Sequence, residues 1–116
     1  MAEYNVVTKE VEYIPDWDDN ADKAEPIKAT LKYITDAERT RCSSVTQDAK
    51  ENVNVELNYE LLVKYGLGGF ENFKVGGEEI KTAKQFLSLS GFHLLLIELG
   101  SKIFTMNART DSKNSE

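Results

Sequence analysis

The apolar residues between Phe92 and Arg109 set the strongest limit on how this chain can fold. They recur at intervals of three and four residues, which is the spacing of one broad face of an α-helix. The residues on this face are Phe92, Leu95, Leu96, Leu99, Ile103 and Met106. We predict one long helix over this stretch and expect the core of the protein to form around it.

The same helix has more apolar surface than one face needs. Residues 94–97 read Leu-Leu-Leu-Ile, so a full turn is apolar on all sides, and a domain of this size rarely buries every face of a helix. We therefore predict that part of this surface contacts another protein, with complete burial in a monomer as the alternative. The residues assigned to this partner surface are Trp17, Phe92, Leu94, Leu96, Ile97 and Ile103.

The amino-terminal third has the pattern of two strands. Residues 4–14 are rich in β-branched and aromatic types, among them Val7, and residues 27–33 alternate apolar and polar side chains. A period of two is typical of a strand with one face in water. Because the two segments are adjacent in the chain, we predict that they pair antiparallel, with residues 15–25 as the connection.

The rest of the chain shows mainly helical signals. Thr35 with Glu38, and Thr82 with Gln85, have the spacing of capping boxes, which predict a short helix from Asp36 and another after Thr82. We also predict an extended segment over residues 53–58 and a helix over 58–65, which a left-handed Gly66 would stop. Phe70 and Phe73 are predicted to lie in the core. A turn is expected at Gly76-Gly77 and a helix break at Ser90-Gly91.

Together these elements predict the α+β class. A chain of 116 residues fits a single domain. We divide it into a strand pair with an acidic loop (1–35), a mainly helical part that ends in the longest, core-forming helix (36–109), and a frayed polar tail (110–116).

The acidic loop "IPDWDDNADKAEP" (14–26) can be compared with a calcium-binding loop. Asp16, Asp18 and Asn20 match its first three ligand positions, but the glycine position holds Ala21 and the bidentate glutamate position holds Ile27. We therefore assign no metal site to this loop. Trp17 then either anchors the loop on the strands or offers a contact to a partner, and we favour the anchor.

No catalytic or cofactor site is predicted. Cys42 and His93 are the only cysteine and the only histidine, which is too few for a zinc site, and we interpret both as structural. The segment "YGLGGFE" lacks the third glycine of a dinucleotide fingerprint, and "GGEE" lacks the Lys-Ser/Thr pair of a phosphate loop. We expect a protein that is not an enzyme.

Charge and hydropathy argue against nucleic acids and membranes as partners. Residues 1–60 hold 14 acids and 7 bases, and the chain has no cluster of basic residues, so nucleic-acid binding is not expected. The start "MAEYNVVTKEVEYI" lacks the pattern of a signal peptide, and no apolar run approaches the length of a membrane span. We expect a protein of the cytoplasm that does not bind membranes.

The order of the motifs resembles a known family. These motifs are "PDWDDN" (15–20), the strand "IKATLKYIT" (27–35) followed by a Thr-x-x-Glu-Arg helix start, "GGFENFKVGGEEIKTAKQFL" (68–87), "LLLIELGSKI" (94–103) and a Lys-Asn close at 113–114. In this order they resemble the tail assembly chaperones encoded among the tail genes of long-tailed bacteriophages and prophages. Residues 41–58 match nothing that we can place in that family.

The resemblance implies a function without chemistry. Proteins of this kind bind the tape-measure protein or tail-tube subunits transiently while the tail is assembled in the host cytoplasm. A small structural protein of the virion, in the head-tail region or the tail, is the first alternative. A metal-binding or regulatory interaction module that uses residues 16–22 is the second. Homo-oligomer formation is left open.

Overall fold

The structure, a computed structural model, describes residues 1–4 and 9–106. The strands in this part are β1 (Val11–Tyr13), β2 (Lys28–Leu31), β3 (Ser43–Gln47), β4 (Val53–Leu57), β5 (Leu67–Glu71), β6 (Lys74–Val75) and β7 (Glu78–Glu79). The α-helices are α1 (Asp36–Arg41), α2 (Tyr59–Gly66), α3 (Ala83–Leu87) and α4 (His93–Met106), and a 3₁₀ turn covers Trp17–Asp22. The predicted α+β class, the amino-terminal strand pair and the long last helix are confirmed.

The main sheet has three strands in the order β1-β2-β5, all antiparallel. Its centre is β2, whose Ala29 and Leu31 are fully buried, whereas Lys28 and Thr30 are partly exposed. The pairing of β1 with β2 is as predicted, but both strands are shorter than the sequence pattern, and β5 was not predicted. Val7, assigned to the first strand, and the tail from residue 110 lie outside the described residues.

The segment between α1 and α2 is a hairpin of its own. The helix α1 begins at the predicted residue, and its capping box joins the Glu38 backbone N–H to the Thr35 hydroxyl at 3.0 Å. The strands β3 and β4 then pair antiparallel with Val45 opposite Val55, as a separate two-stranded sheet. The extended segment over 53–58 is confirmed as β4, but its partner β3 was missed.

The helices α2 and α4 pack closely at two glycines, one on each helix. A Cβ on Gly66 would lie 2.5 Å from Cγ2 of Ile103, and one on Gly100 would lie 2.9 Å from Cδ1 of Tyr59. Neither glycine has the positive φ of a left-handed residue. The prediction that Gly66 stops its helix in a left-handed conformation is therefore wrong, since its role is to leave room for Ile103.

One cluster of buried apolar residues forms the core. From α4 it takes Leu95, Leu99 and Ile103, which are fully buried, and from α2 it takes Leu62 and Val63. The central position of the last helix is thus confirmed. Among the described residues, no helix has the length and apolar character needed to cross a membrane.

Four phenylalanines pack against one another, three of them in this core and Phe92 at its margin. The ring centroids of Phe70 and Phe73 are 5.0 Å apart, those of Phe70 and Phe86 5.3 Å, and those of Phe73 and Phe92 5.5 Å. Their tilted, edge-on arrangement is the favoured geometry of packed aromatic rings. The predicted core positions of Phe70 and Phe73 are confirmed.

The turns around this cluster are those that the sequence predicts. Gly76 and Gly77, with φ angles of 60° and 84°, connect β6 to β7. Thr82 and Gln85 form the second capping box, and Gly91, with a φ of 93°, separates α3 from α4. These positive φ angles are accessible to glycine at little cost.

Candidate functional site

The acidic loop is fastened to the last helix by Glu98. The Glu98 carboxylate accepts hydrogen bonds from the Tyr13 hydroxyl at 2.7 Å, the Asp16 backbone N–H at 2.6 Å and the Trp17 backbone N–H at 3.0 Å. Charge-assisted hydrogen bonds of this kind are about twice as strong as neutral ones. Glu98 therefore fixes both β1 and the start of the 3₁₀ turn against α4, a role that the sequence did not indicate.

Trp17 and Asn20 make the buried contacts that fix the loop. The Trp17 ring is half-buried and packs on Phe92, with 5.4 Å between centroids and 52° between ring planes. Asn20 is fully buried, its Nδ2 donating to the carbonyl oxygens of Pro15 and Ile27 and its Oδ1 accepting from the Ile27 N–H. The contact of Trp17 with Phe92 anchors the loop at the start of α4, whereas the anchor that we favoured was on the strands.

The acidic side chains of the loop stay in water. Asp18 and Asp19 have left-handed φ angles of 55° and 54°, and the Asp18 carboxylate pairs with Lys23 Nζ at 3.1 Å. The side-chain oxygen of Asn20, the third candidate ligand, already accepts a hydrogen bond from the Ile27 backbone N–H. In the part of the chain that the structure describes, no group of three or more His, Cys, Asp or Glu residues is placed to hold a metal ion.

The contact between Tyr13 and Glu98 predicts that the folded state loses stability at alkaline pH. Burial raises the pKa of Tyr13 far above its ordinary value, and the hydrogen bond to Glu98 and its negative charge raise it further. A tyrosine in the unfolded chain has a pKa of about 10. The contact therefore stabilises the folded state fully below that pH, and this stabilisation is lost as the pH rises through the higher pKa of the folded state.

Absorbance titration of the phenolate checks this prediction. At about pH 11, above the ordinary pKa of tyrosine, the folded wild type and a Tyr13→Phe variant should show the same phenolate signal, because Tyr13 is still protonated. On unfolding at that pH, the wild type should gain one phenolate more than the variant. A larger signal from the folded wild type than from the folded variant would contradict a raised pKa.

Cys42 and His93 line the same groove at the foot of the hairpin. A catalytic thiol needs a lowered pKa. Cys42 is fully buried, and this burial raises the pKa of its thiol, with the Glu38 charge acting in the same direction and Arg41 opposing it. This environment disfavours the thiolate form of Cys42.

One face of the β3–β4 hairpin is apolar and exposed. Val45, Val53 and Val55 point to this face and are 66%, 63% and 57% exposed. We call these three residues the valine face. The opposite face is polar, with Ser44, Thr46, Asn54 and Glu56. Within residues 1–4 and 9–106, no third strand joins the hairpin, so both of its strands are edges.

The turn of the hairpin is ordered by Asp48. Its carboxylate accepts hydrogen bonds from the backbone N–H groups of Lys50 at 2.8 Å and Asn52 at 2.9 Å. The hydrogen bonds from Asn52 hold the pKa of Asp48 below its usual range. This local network fixes the turn without help from the core, as Asp does in many loops.

Two grooves meet at the start of α4, and one of them reaches the hairpin. One has a volume of about 490 Å³ and lies between the foot of the hairpin, at Ser43 and Leu57, and the residues His93 and Leu96. The other, of about 130 Å³, lies between α3 and α4 and is also lined by His93 and Leu96. Leu94, in the same first turn of α4, is 68% exposed.

The residues predicted for a partner surface separate into three groups. Leu94 is exposed, whereas Trp17, Phe92, Leu96 and Ile97 are half-buried. Ile103 is fully buried between α4 and α2, so the structure places it in the core and away from any surface that a partner could reach. The valine face was not among the predicted residues, although the alternation of valines with polar residues over 53–56 was the signal for it.

The fold and site define an α+β protein with one apolar core, an anchored acidic loop and a hairpin with an exposed apolar face. Comparison with family models, with curated proteins and with solved structures found no match for the chain.

Proposed function

We propose that this protein is a tail assembly chaperone-like protein of a bacteriophage, which acts without chemistry by binding tape-measure or tail-tube proteins in the host cytoplasm. The observation that carries the binding function is the valine face, which lies on a ribbon outside the core. The identity of the partners rests on the resemblance of the motif order to that family.

The valine face adds little to the stability of the folded chain. An isolated two-stranded hairpin is marginally stable in water, and because each of these valines is more than half exposed, it gives up about 1 kcal/mol that complete burial would contribute. Exposed apolar patches on soluble proteins commonly mark contact sites for other proteins. A surface that is buried only in a complex accounts for three valines at these positions.

A direct binding measurement tests this function. Purified tail-tube and tape-measure proteins from the same phage should bind the full chain in titration calorimetry. The combined variant Val45→Thr, Val53→Thr and Val55→Thr should weaken that binding about tenfold or more, because less apolar area is buried. Its thermal stability should change little, since threonine also favours strands.

A variant of the polar face is the matched control. Thr46→Ser combined with Asn54→Ser changes the same two strands on the opposite side and should leave the affinity within about twofold, a change well under 1 kcal/mol. If neither the tail-tube nor the tape-measure protein binds the wild-type chain, the proposed function is wrong.

The alternative of a permanent virion component predicts a different result. Mass spectrometry of purified particles should find this chain at a fixed ratio to the tail-tube subunit if it is structural. A chaperone should be absent from finished particles.

A further inference from the structure

The backbone hydrogen bonds of the hairpin show which of its groups point outward. Asn58 N–H donates to the Cys42 carbonyl at 2.7 Å, and Asp48 N–H donates to the Asn52 carbonyl at 3.1 Å. In an antiparallel ladder, every second opposite pair exchanges hydrogen bonds. The inward-facing pairs between these two ends are therefore Ser44 with Glu56 and Thr46 with Asn54, and the remaining positions turn their N–H and C=O groups away from the hairpin.

The outward-facing positions are those that carry the valines. On β4 they are Val53, Val55 and Leu57, and on β3 they are Ser43, Val45 and Gln47. Of the three valines at these positions β4 carries two and β3 one, and among the described strands only β3 pairs with β4. The outer edge of β4 thus combines free backbone donors and acceptors with an apolar face, which is the combination that strand addition uses.

The two faces of β4 specify the pattern of side chains in an added strand. Successive side chains of a strand point to opposite faces of the sheet. On one face they would lie beside Val53 and Val55, and on the other beside Asn54 and Glu56. A segment with alternating apolar and polar side chains therefore fits this edge.

The net charge around the hairpin indicates which charge the polar side chains of an added strand should carry. Residues 43–60 hold four acids, Asp48, Glu51, Glu56 and Glu60, against the single base Lys50, so their net charge is −3. Counting Arg41, just before β3, leaves it at −2. Opposite charges on neighbouring strands attract and like charges repel. This balance favours a basic segment and disfavours a second copy of the same hairpin.

We propose that the outer edge of β4 binds an extended segment of a protein partner as a third strand, in which apolar side chains alternate with lysine or arginine. This inference rests on the proposed function, because it names the kind of partner segment that the same hairpin binds. The apolar side chains cover the valine face, and the basic ones lie on the side of Glu56.

A synthetic peptide tests the inference on the full chain. The probe is an acetylated and amidated peptide of alternating lysine and valine, seven residues long, added to the isotope-labelled protein. Amide exchange followed by NMR should slow by about tenfold or more at Val53 and Val55, because their N–H groups become hydrogen-bonded. A peptide of the same composition with its lysines and valines in separate blocks should give much less protection.

Charge reversal supplies a second readout. A glutamate-valine peptide should not protect β4 in the wild type, whereas the variant Glu56→Lys should bind it better and bind the lysine-valine peptide less well. The inference is overturned if the lysine-valine peptide leaves the amides of Val53 and Val55 unprotected, or if protection maps to another element. It is also overturned if these amides become protected in the absence of peptide as the protein concentration rises, since that result assigns the edge to a second copy.

The outcomes separate this inference from the function on which it rests. If a tail protein binds and the β4 amides keep their exchange rates, the function stands and strand addition at β4 is wrong. If the peptide protects β4 but no tail protein binds, strand addition stands and the assignment to tail assembly is wrong.

Discussion

The Asn20→Ala variant is expected to lose about 3 kcal/mol of unfolding free energy, since it leaves buried polar groups without partners. Asn20 is fully buried and makes three hydrogen bonds, two to carbonyl oxygens and one from the Ile27 N–H. Alanine keeps none of them. Chemical denaturation at neutral pH measures the loss.

Two further substitutions test the reason for this effect. Asn20→Asp keeps an acceptor for the Ile27 N–H but places a carboxylate against the carbonyl oxygens of Pro15 and Ile27. Its pKa in the folded state should be raised, so this variant should be closest to wild type at acid pH and lose stability as the pH rises. Asp22→Ala, an exposed change in the same turn, should stay within about 0.5 kcal/mol. An Asn20→Ala variant as stable as Asp22→Ala would contradict the buried network.

The Gly66→Val variant should destabilise the protein by about 3 kcal/mol, because the new side chain overpacks the contact between α2 and α4. Even a Cβ at this position would lie 2.5 Å from Cγ2 of Ile103, a branched side chain that has few alternative rotamers. The gain in helix propensity from replacing glycine is under 1 kcal/mol and does not offset this clash. Thermal unfolding should show a decrease in Tm of about 10 °C or more.

A double mutant identifies the atoms responsible. Ile103→Ala alone should cost about 2–5 kcal/mol, since Ile103 is fully buried. Combined with Gly66→Val, it should cost less than the sum of the two single changes by about 1 kcal/mol or more, because the larger residue 66 then fills the space of the isoleucine. Additive losses would mean that residue 66 does not press on Ile103.

Local sequence signals predicted the elements that depend on local chemistry. The capping boxes at Thr35 and Thr82, the turn at Gly76-Gly77 and the break at Gly91 are all present, because each rests on hydrogen bonds or φ angles within a few residues. The failures involve contacts between distant residues. Gly66 was taken for a helix stop, since its contact with Ile103 in a different helix has no signature in the sequence near it.

Contacts between distant residues also explain which parts of the candidate site could not be predicted from the sequence. The acidic loop and its tryptophan attract attention in the sequence, yet Glu98, which fastens the loop, is 82 residues from Asp16. In the hairpin, the valines of β4 alternate visibly, but β3 contains a single valine among polar residues. Whether the valines of β4 are buried or exposed depends on what packs against them, which tertiary structure alone reveals.

Hydrogen–deuterium exchange of the complex with a tail-tube or tape-measure protein tests the central claim most directly. We expect slower exchange over β3 and β4 and at the first turn of α4, around Leu94, with the buried core of α4 unchanged because it is already protected. The account would be contradicted by a complex in which the hairpin exchanges as fast as in the free protein and the protection lies elsewhere, for example over the 3₁₀ turn.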